Sequence, residues 1–158
     1  MLMEEVILDK IKNINIKKLK RFSDKKVILL CNDIRAFLIN NISKTGGHLG
    51  ANIGAIEISV AIHKIFNSPK DKIIFDTGHQ AYPHKILTGR LKKFKFLNKY
   101  KKGFSRFTDR KESKHDIIDV SHAATSISIS SGLAFKKDFK NKVVAIIGDG
   151  SLVEGMAF

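Results

Sequence analysis

Val143-Val144-Ala145-Ile146-Ile147-Gly148-Asp149-Gly150-Ser151 opens the last sixteen residues of the chain and decides its fold class. Five apolar residues, most of them β-branched, predict a strand buried on both faces, as in parallel sheets. Ligands of open α/β sheets bind beyond the carboxyl ends of the strands, which is where this Gly-Asp-Gly falls. Gly148 and Gly150 are expected to free the backbone for a sharp turn and close ligand approach, while Asp149 supplies one hard oxygen. The stretch therefore suggests a place to hold Mg²⁺ against a diphosphate. A single carboxylate does not by itself make a metal site.

The same grammar appears upstream. Lys72-Ile73-Ile74-Phe75 reads as a short strand delivering Asp76-Thr77-Gly78-His79 to its carboxyl end. Asp116 to Val120 reads as another, ending at Ser121-His122-Ala123. Between them the helical signals are strong. Residues 1–22 suggest short polar helices or coil with Ile7, Ile11 and Ile14 as a weak apolar stripe. Ser23-Asp24 can cap a helix carrying Val27, Leu30, Ile34, Phe37 and Leu38 at i, i+3, i+4 spacing, which Thr45-Gly46-Gly47-His48 breaks. Ile53 to Phe66 is apolar on nearly every face and predicts a central buried helix in which Glu57 needs a partner. Asn67-Ser68-Pro69 ends it. Short helices separated by Gly89 follow over 82–97, then an exposed loop over 99–114 and a helix of small residues over 126–139. The sum is an α/β architecture with a mostly parallel sheet flanked by helices, whose polar turns meet on one sheet edge. Residues 1–22 are read as an N-terminal helical or coil extension and 23–158 as a single, incomplete domain.

At 158 residues the chain can bury a core of its own. Its net charge of +14 raises nucleic acid or an anionic membrane as partners. The 24 Lys against 5 Arg, scattered from Lys10 to Lys142, argue otherwise. Arg is the residue whose planar fork selects phosphates and bases. With 22 Ile beside them, the lysines look like biased residue usage. The expectation is neither nucleic acid nor membrane, with a basic surface that helps gather anionic substrates. The one cysteine, Cys31, lies in an apolar run and reads as core. No stretch has the apolar length of a membrane span, and the start Met1-Leu2-Met3-Glu4-Glu5 is acidic where a targeting peptide is basic, so a cytoplasmic location is expected.

Singly, the Gly-His and Gly-Asp-Gly turns are weak signals, and an isolated histidine is more often a surface or packed residue than a ligand. Together, in order, SKTGGHLGANIGAIEISVAIH at 43–63, DTGHQAYPHKILTGR at 76–90, SHAATSISISSGLA at 121–134 and IGDGSLVEGMAF at 147–158 resemble the N-terminal part of the 1-deoxy-D-xylulose-5-phosphate synthases, relatives of transketolase. The resemblance runs from about residue 8 to the last residue. It implies a thiamine-diphosphate-binding fold and an enzyme that condenses pyruvate with D-glyceraldehyde 3-phosphate, with loss of CO2, for isoprenoid, thiamine and pyridoxal synthesis.

By that resemblance, Asp149 is the first Mg²⁺ ligand and Gly150 and Ser151 turn backbone amides toward the diphosphate of thiamine diphosphate. His79 contacts the cofactor near its reactive end, where an imidazole can donate to phosphate or carry protons. Ser121, His122 and Ala123 form a cofactor-binding turn; many family members carry Gly where Ser121 stands. His48 lies near the substrate. His84 and Lys85 belong to the signature without an assigned role. The family's cofactor motif continues to an Asn pair downstream, and the family adds a second and a third domain and is homodimeric. This chain is accordingly expected to be an N-terminal fragment, inactive alone, with the remaining domains of the same enzyme as its partner. Another transketolase-like thiamine-diphosphate enzyme, or a non-catalytic remnant, remain the alternatives.

Overall fold

Helix-forming patterns dominate the first 65 residues, and the structure converts them into five helices that share one apolar core. The structure, a computed structural model, describes residues 2–97, 104–119, 122–136, 138 and 140–158. It divides into two compact units, Met1–Ile65 with Ala81–Arg106, and Phe66–Gln80 with Phe107–Phe158.

In the first unit, α1 (Leu2–Ile11) and α2 (Ile16–Leu19) precede the long α3 (Asp24–Thr45). Ser23 stands at the expected cap of α3, but its hydroxyl makes no capping bond. Of the stripe read from the sequence, Leu30, Ile34, Phe37 and Leu38 are buried and Val27 is half-buried, joined by Cys31, Ile11, Ile14 and Leu19. Cys31 is a packed thiol whose pKa is pushed up by burial and by the Glu57 charge, against a smaller opposite effect of Arg35. That fits core filling and not a nucleophile.

The predicted all-apolar helix over 53–66 is corrected. It is two pieces, α4 (Leu49–Gly54) and α5 (Ile56–Ile65), and it is amphipathic. Ile56, Ser59, Val60 and His63 are buried, whereas Ile58 and Ile65 are exposed. Glu57 lies on the outward face, so no burial cost forces a partner; it nevertheless pairs with Arg35. Such exposed pairs contribute about 0–1 kcal/mol.

After α6 (Tyr82–Lys85) come a π-helical turn over Ile86–Arg90, with Gly89 at φ +89°, and a 3₁₀ segment over Leu91–Phe96. Phe94 is the hub of this region, edge-on to Phe37 and Tyr82 with ring centres 5.4 and 5.7 Å away. Phe104, at 5.0 Å from Phe94, is buried too, although 99–114 was expected to be exposed. Lys85 explains this. Its fully buried ammonium donates to the Ser105 carbonyl at 2.8 Å and sits 4.6 Å from the centre of the Phe104 ring.

The second unit holds the sheet. β1 (Lys72–Phe75) pairs in parallel with β2 (Val143–Ile146), Lys72 opposite Val143 and Phe75 opposite Ile146. Asp71 ties the two strand starts, accepting from the amides of Asn67 and Lys142. α7 (Ser126–Ala134) packs on both strands and is shorter than the 126–139 expected, ending where Phe135 is exposed and lysines follow. The one-turn α8 (Asp149–Leu152) leaves the end of β2, and a 3₁₀ turn closes at Ala157.

The strand expected over 116–120 does not form over its described residues, 116–119. Their side chains are engaged locally instead: Asp116 accepts from the Asp109 amide, and Asp119 from the amide and Nε of Arg110. Among the described residues the sheet has two strands. No helix among them is long and apolar enough to cross a membrane.

Gly47 sits at φ +138°, and a Cβ there would lie 3.0 Å from the Tyr82 hydroxyl. Gly47→Ala combines backbone strain with a tight contact on the buried Tyr82 ring's hydroxyl. It should lower stability by about 1–3 kcal/mol, read from urea-induced unfolding followed by circular dichroism.

Candidate functional site

Because β1 and β2 run parallel and in register, both end at the same sheet edge, and the two turns read from the sequence leave from there. Asp76 continues the ladder by one bond, its amide donating to the Ile146 carbonyl at 2.8 Å. The chain then turns within three residues. Gly78 N–H donates to the Asp76 carbonyl, and Thr77 between them is held at φ +60°, a γ-turn geometry that costs energy for a residue with a Cβ. His79 and Gln80 follow, with Gln80 buried.

Asp76 itself had no role in the sequence reading, yet it organises this edge. It is 1% exposed. One carboxylate oxygen accepts from the amide of Ala124 at 2.8 Å and the other from the amide of Ser126 at 3.1 Å. Burial pushes its pKa up, but the Ser126 hydroxyl, the two amides and the Ser151 hydroxyl outweigh burial and hold the carboxyl below its ordinary value. Thr125, the residue preceding α7, makes no side-chain cap bond. The cap is delivered by Asp76 from another strand. The one signal in the sequence was an acid directly after an apolar strand, which in isolation says only that the strand has ended.

The turn that Asp76 holds contains the predicted contacts His122 and Ala123. Ala124, fully buried, adopts φ +68°, a conformation disfavoured for any residue with a Cβ. His122 is exposed, and its Nδ1 lies 2.8 Å from the Ala123 carbonyl. A carbonyl only accepts, so Nδ1 carries a proton and Nε2 is the acceptor of the neutral ring. Ser121 lies outside the described residues.

At the end of β2, Asp149 is the first residue of α8, exposed, with one carboxylate oxygen accepting from the Gly150 amide. The expected turn strain is absent here: Gly148 has φ −78°, and neither it nor Gly150 has positive φ. What the glycines provide is room, since a Cβ on either would meet nothing within 4 Å. α8 is one turn, so its dipole is small and the individual amides matter more than the helix end. Among the described residues no three His, Cys, Asp or Glu side chains gather closely enough to hold an ion. Asp149 with open space beside it nevertheless suits Mg²⁺ chemistry, in which one or two carboxylates are completed by phosphate oxygens and water.

His48 belongs to the first unit, where it precedes α4. A buried residue missed in the sequence reading, Asn52, fixes it. Asn52 Nδ2 donates to the His48 carbonyl at 2.6 Å, and its Oδ1 accepts from the Tyr82 amide at 2.7 Å. Burial raises the pKa of the Tyr82 hydroxyl. The signature residues His84 and Lys85 turn out to be packed inward. His84 Nδ1 lies 2.8 Å from His63 Nε2, with the rings stacked, and Lys85 anchors the 104–105 segment.

The sequence matches, over residues 8–158, the family model described as 1-deoxy-D-xylulose-5-phosphate synthase. It is 51% identical over 146 residues to the 1-deoxy-D-xylulose-5-phosphate synthase of a Geobacillus species, covering 90% of this chain and 23% of that protein. The protein of the same name from Alkaliphilus oremlandii is 51% identical over 147 residues, with 91% and 23% covered. That from Halothermothrix orenii is 52% identical over 132 residues, with 82% and 21% covered. The chain thus spans under a quarter of the length of these curated relatives.

Asn52→Ala strands the buried Tyr82 amide and removes the shorter of the Asn52 bonds to the His48 carbonyl, and should cost about 1–3 kcal/mol in urea-induced unfolding. A second outcome concerns pH. A carboxyl held below its unfolded value of about 3.9 contributes stability that is present above that value and is lost as pH falls through the folded one. Native protein should therefore lose stability below about pH 4 more steeply than Asp76→Asn, measured by thermal melts from pH 6 downward.

Proposed function

The chain belongs to the 1-deoxy-D-xylulose-5-phosphate synthase family, and from that premise we propose that it forms the N-terminal part of an enzyme condensing pyruvate with D-glyceraldehyde 3-phosphate, with release of CO2. The observation that carries the proposal is the parallel pairing of β1 with β2, which brings the Asp76–His79 and Gly148–Ser151 turns to one sheet edge. The occupant of that edge is thiamine diphosphate with Mg²⁺. When bound, thiamine diphosphate supplies the electron sink that decarboxylation and carbon–carbon bond formation require.

The protein's own residues bind, orient and move protons. Asp149 offers an exposed carboxylate as one Mg²⁺ ligand, the remaining oxygens coming from phosphate, water and the rest of the protein. The amides of Gly150 and Ser151, with no side chain crowding Gly150, would donate to diphosphate oxygens, that of Gly150 on release from the Asp149 carboxylate it bonds here. Ser121, His122 and Ala123 are the further cofactor contacts, and the proton on His122 Nδ1 leaves its Nε2 to accept from the bound group. His79, directly after the strained Thr77–Gly78 turn, acts on the cofactor as proton carrier or phosphate donor. His48, held through its backbone carbonyl by Asn52, acts on the substrate. The complete enzyme is a cytoplasmic homodimer, to which the domains found in the longer relatives contribute the rest of the cofactor cleft.

The test is calorimetric titration of the chain with Mg²⁺ and thiamine diphosphate together, alone and then with the remaining domains of the Geobacillus relative supplied as a second polypeptide. Weak binding by the chain alone should tighten at least a hundredfold on recombination, a gain of about 2.7 kcal/mol, and pyruvate with D-glyceraldehyde 3-phosphate should then release CO2. Asp149→Asn should weaken the Mg²⁺-dependent part at least tenfold. No cofactor binding in either arrangement would sink the reading.

A further inference from the structure

We propose that Asp76 is a positioning residue, whose carboxylate sets the backbone of the 122–126 turn so that His122 and Ala123 are presented at the sheet edge. The inference deepens the reading that this turn meets the cofactor, and depends on it for its functional meaning. Its basis is geometric. A carboxylate 1% exposed sends its two oxygens to two different amides of one turn, Ala124 at 2.8 Å and Ser126 at 3.1 Å. Between His122 and Ser126 the chain passes through Ala124 at φ +68°, which a residue bearing a Cβ adopts only where its surroundings over-determine it. The bond to the Ala124 amide supplies that determination, and the bond to the Ser126 amide starts α7 in the same direction.

Asp76 also couples the turn to its neighbours. Its own amide is clamped to the Ile146 carbonyl, so the carboxylate is referenced to the sheet and not to a loop. Its carbonyl closes the strained Thr77 turn that leads to His79. One buried acid thereby links the backbone of two turns that the sequence sets 50 residues apart, from Asp76 to Ser126. A neutral amide could satisfy one of the two N–H groups but not both, since its NH2 end cannot accept.

The experiment is amide-resolved NMR on the native chain, Asp76→Asn and Asp76→Ala, with and without Mg²⁺ and thiamine diphosphate. In Asp76→Ala the Ala124 and Ser126 amides should exchange at least tenfold faster, and the Ala124 Cα shift should lose its left-handed signature. The amides of β1 and β2 should keep their protection. Asp76→Asn should be intermediate, with one of the two amides retained. Cofactor should shift His122 and Ala123 in the native chain and fail to do so in Asp76→Ala. Unchanged exchange and an unchanged Ala124 signature in Asp76→Ala would overturn the assignment; should that variant not fold, native-like exchange at both amides in Asp76→Asn would do so. Loss of the turn with an unaltered cofactor response would overturn it as well. A native chain that shows no cofactor shift, while both amides respond to the substitutions, would count against the cofactor reading and leave the positioning of the turn established.

Discussion

Four residues of β1 paired with four of β2, parallel and in register, set the terms for everything at this sheet edge. A parallel ladder gives both strands the same polarity, so Phe75 and Ile146 end side by side, and the chain must leave both strands in the same place. The exits differ in character. After β1 the backbone folds back through Thr77 at positive φ, whereas after β2 it passes through an ordinary extended Gly148 into one helical turn. A third segment is drawn to the edge by neither strand. It is brought there by Asp76, whose oxygens take the amides of Ala124 and Ser126.

Such a buried carboxylate is stable only because it is fully used. Removing it from water is costly for an unpaired charge, and no cation faces it in the bonds that define its surroundings. Two backbone amides replace the water, and with the serine hydroxyls nearby they overcome the burial that would otherwise protonate it. The arrangement confers order as well as stability, because a carboxylate with both oxygens committed to backbone amides permits one geometry of the turn.

The first unit follows a different logic. There the signature stretch Tyr82-Pro83-His84-Lys85 is buried and carries the architecture. Asn52 bridges the His48 carbonyl and the Tyr82 amide, His84 stacks on His63, and Lys85 draws Ser105 inward. A distinctive motif can thus mark a family through packing as much as through chemistry. Of the histidines in that motif, His84 is committed to the interior, while His79 lies at the tip of β1, in the second unit.

The sequence by itself determined which residue runs became β1, β2 and the long α3, since apolar period and turn residues suffice for local structure. It also determined the family, through motifs whose order and spacing are hard to reach by chance. It misread the segments whose form depends on what lies beside them. Residues 116–119 have strand-like composition but spend their carboxylates on nearby amides, and the apolar run at 53–66 splits into two helices with an outward face. Only the tertiary structure decided the roles of Asp76 and Asn52. Their function lies in amides about 50 and 30 residues away, Ala124 and Ser126 for one and Tyr82 for the other, and a hydrogen bond between distant segments leaves no periodic trace in a single chain.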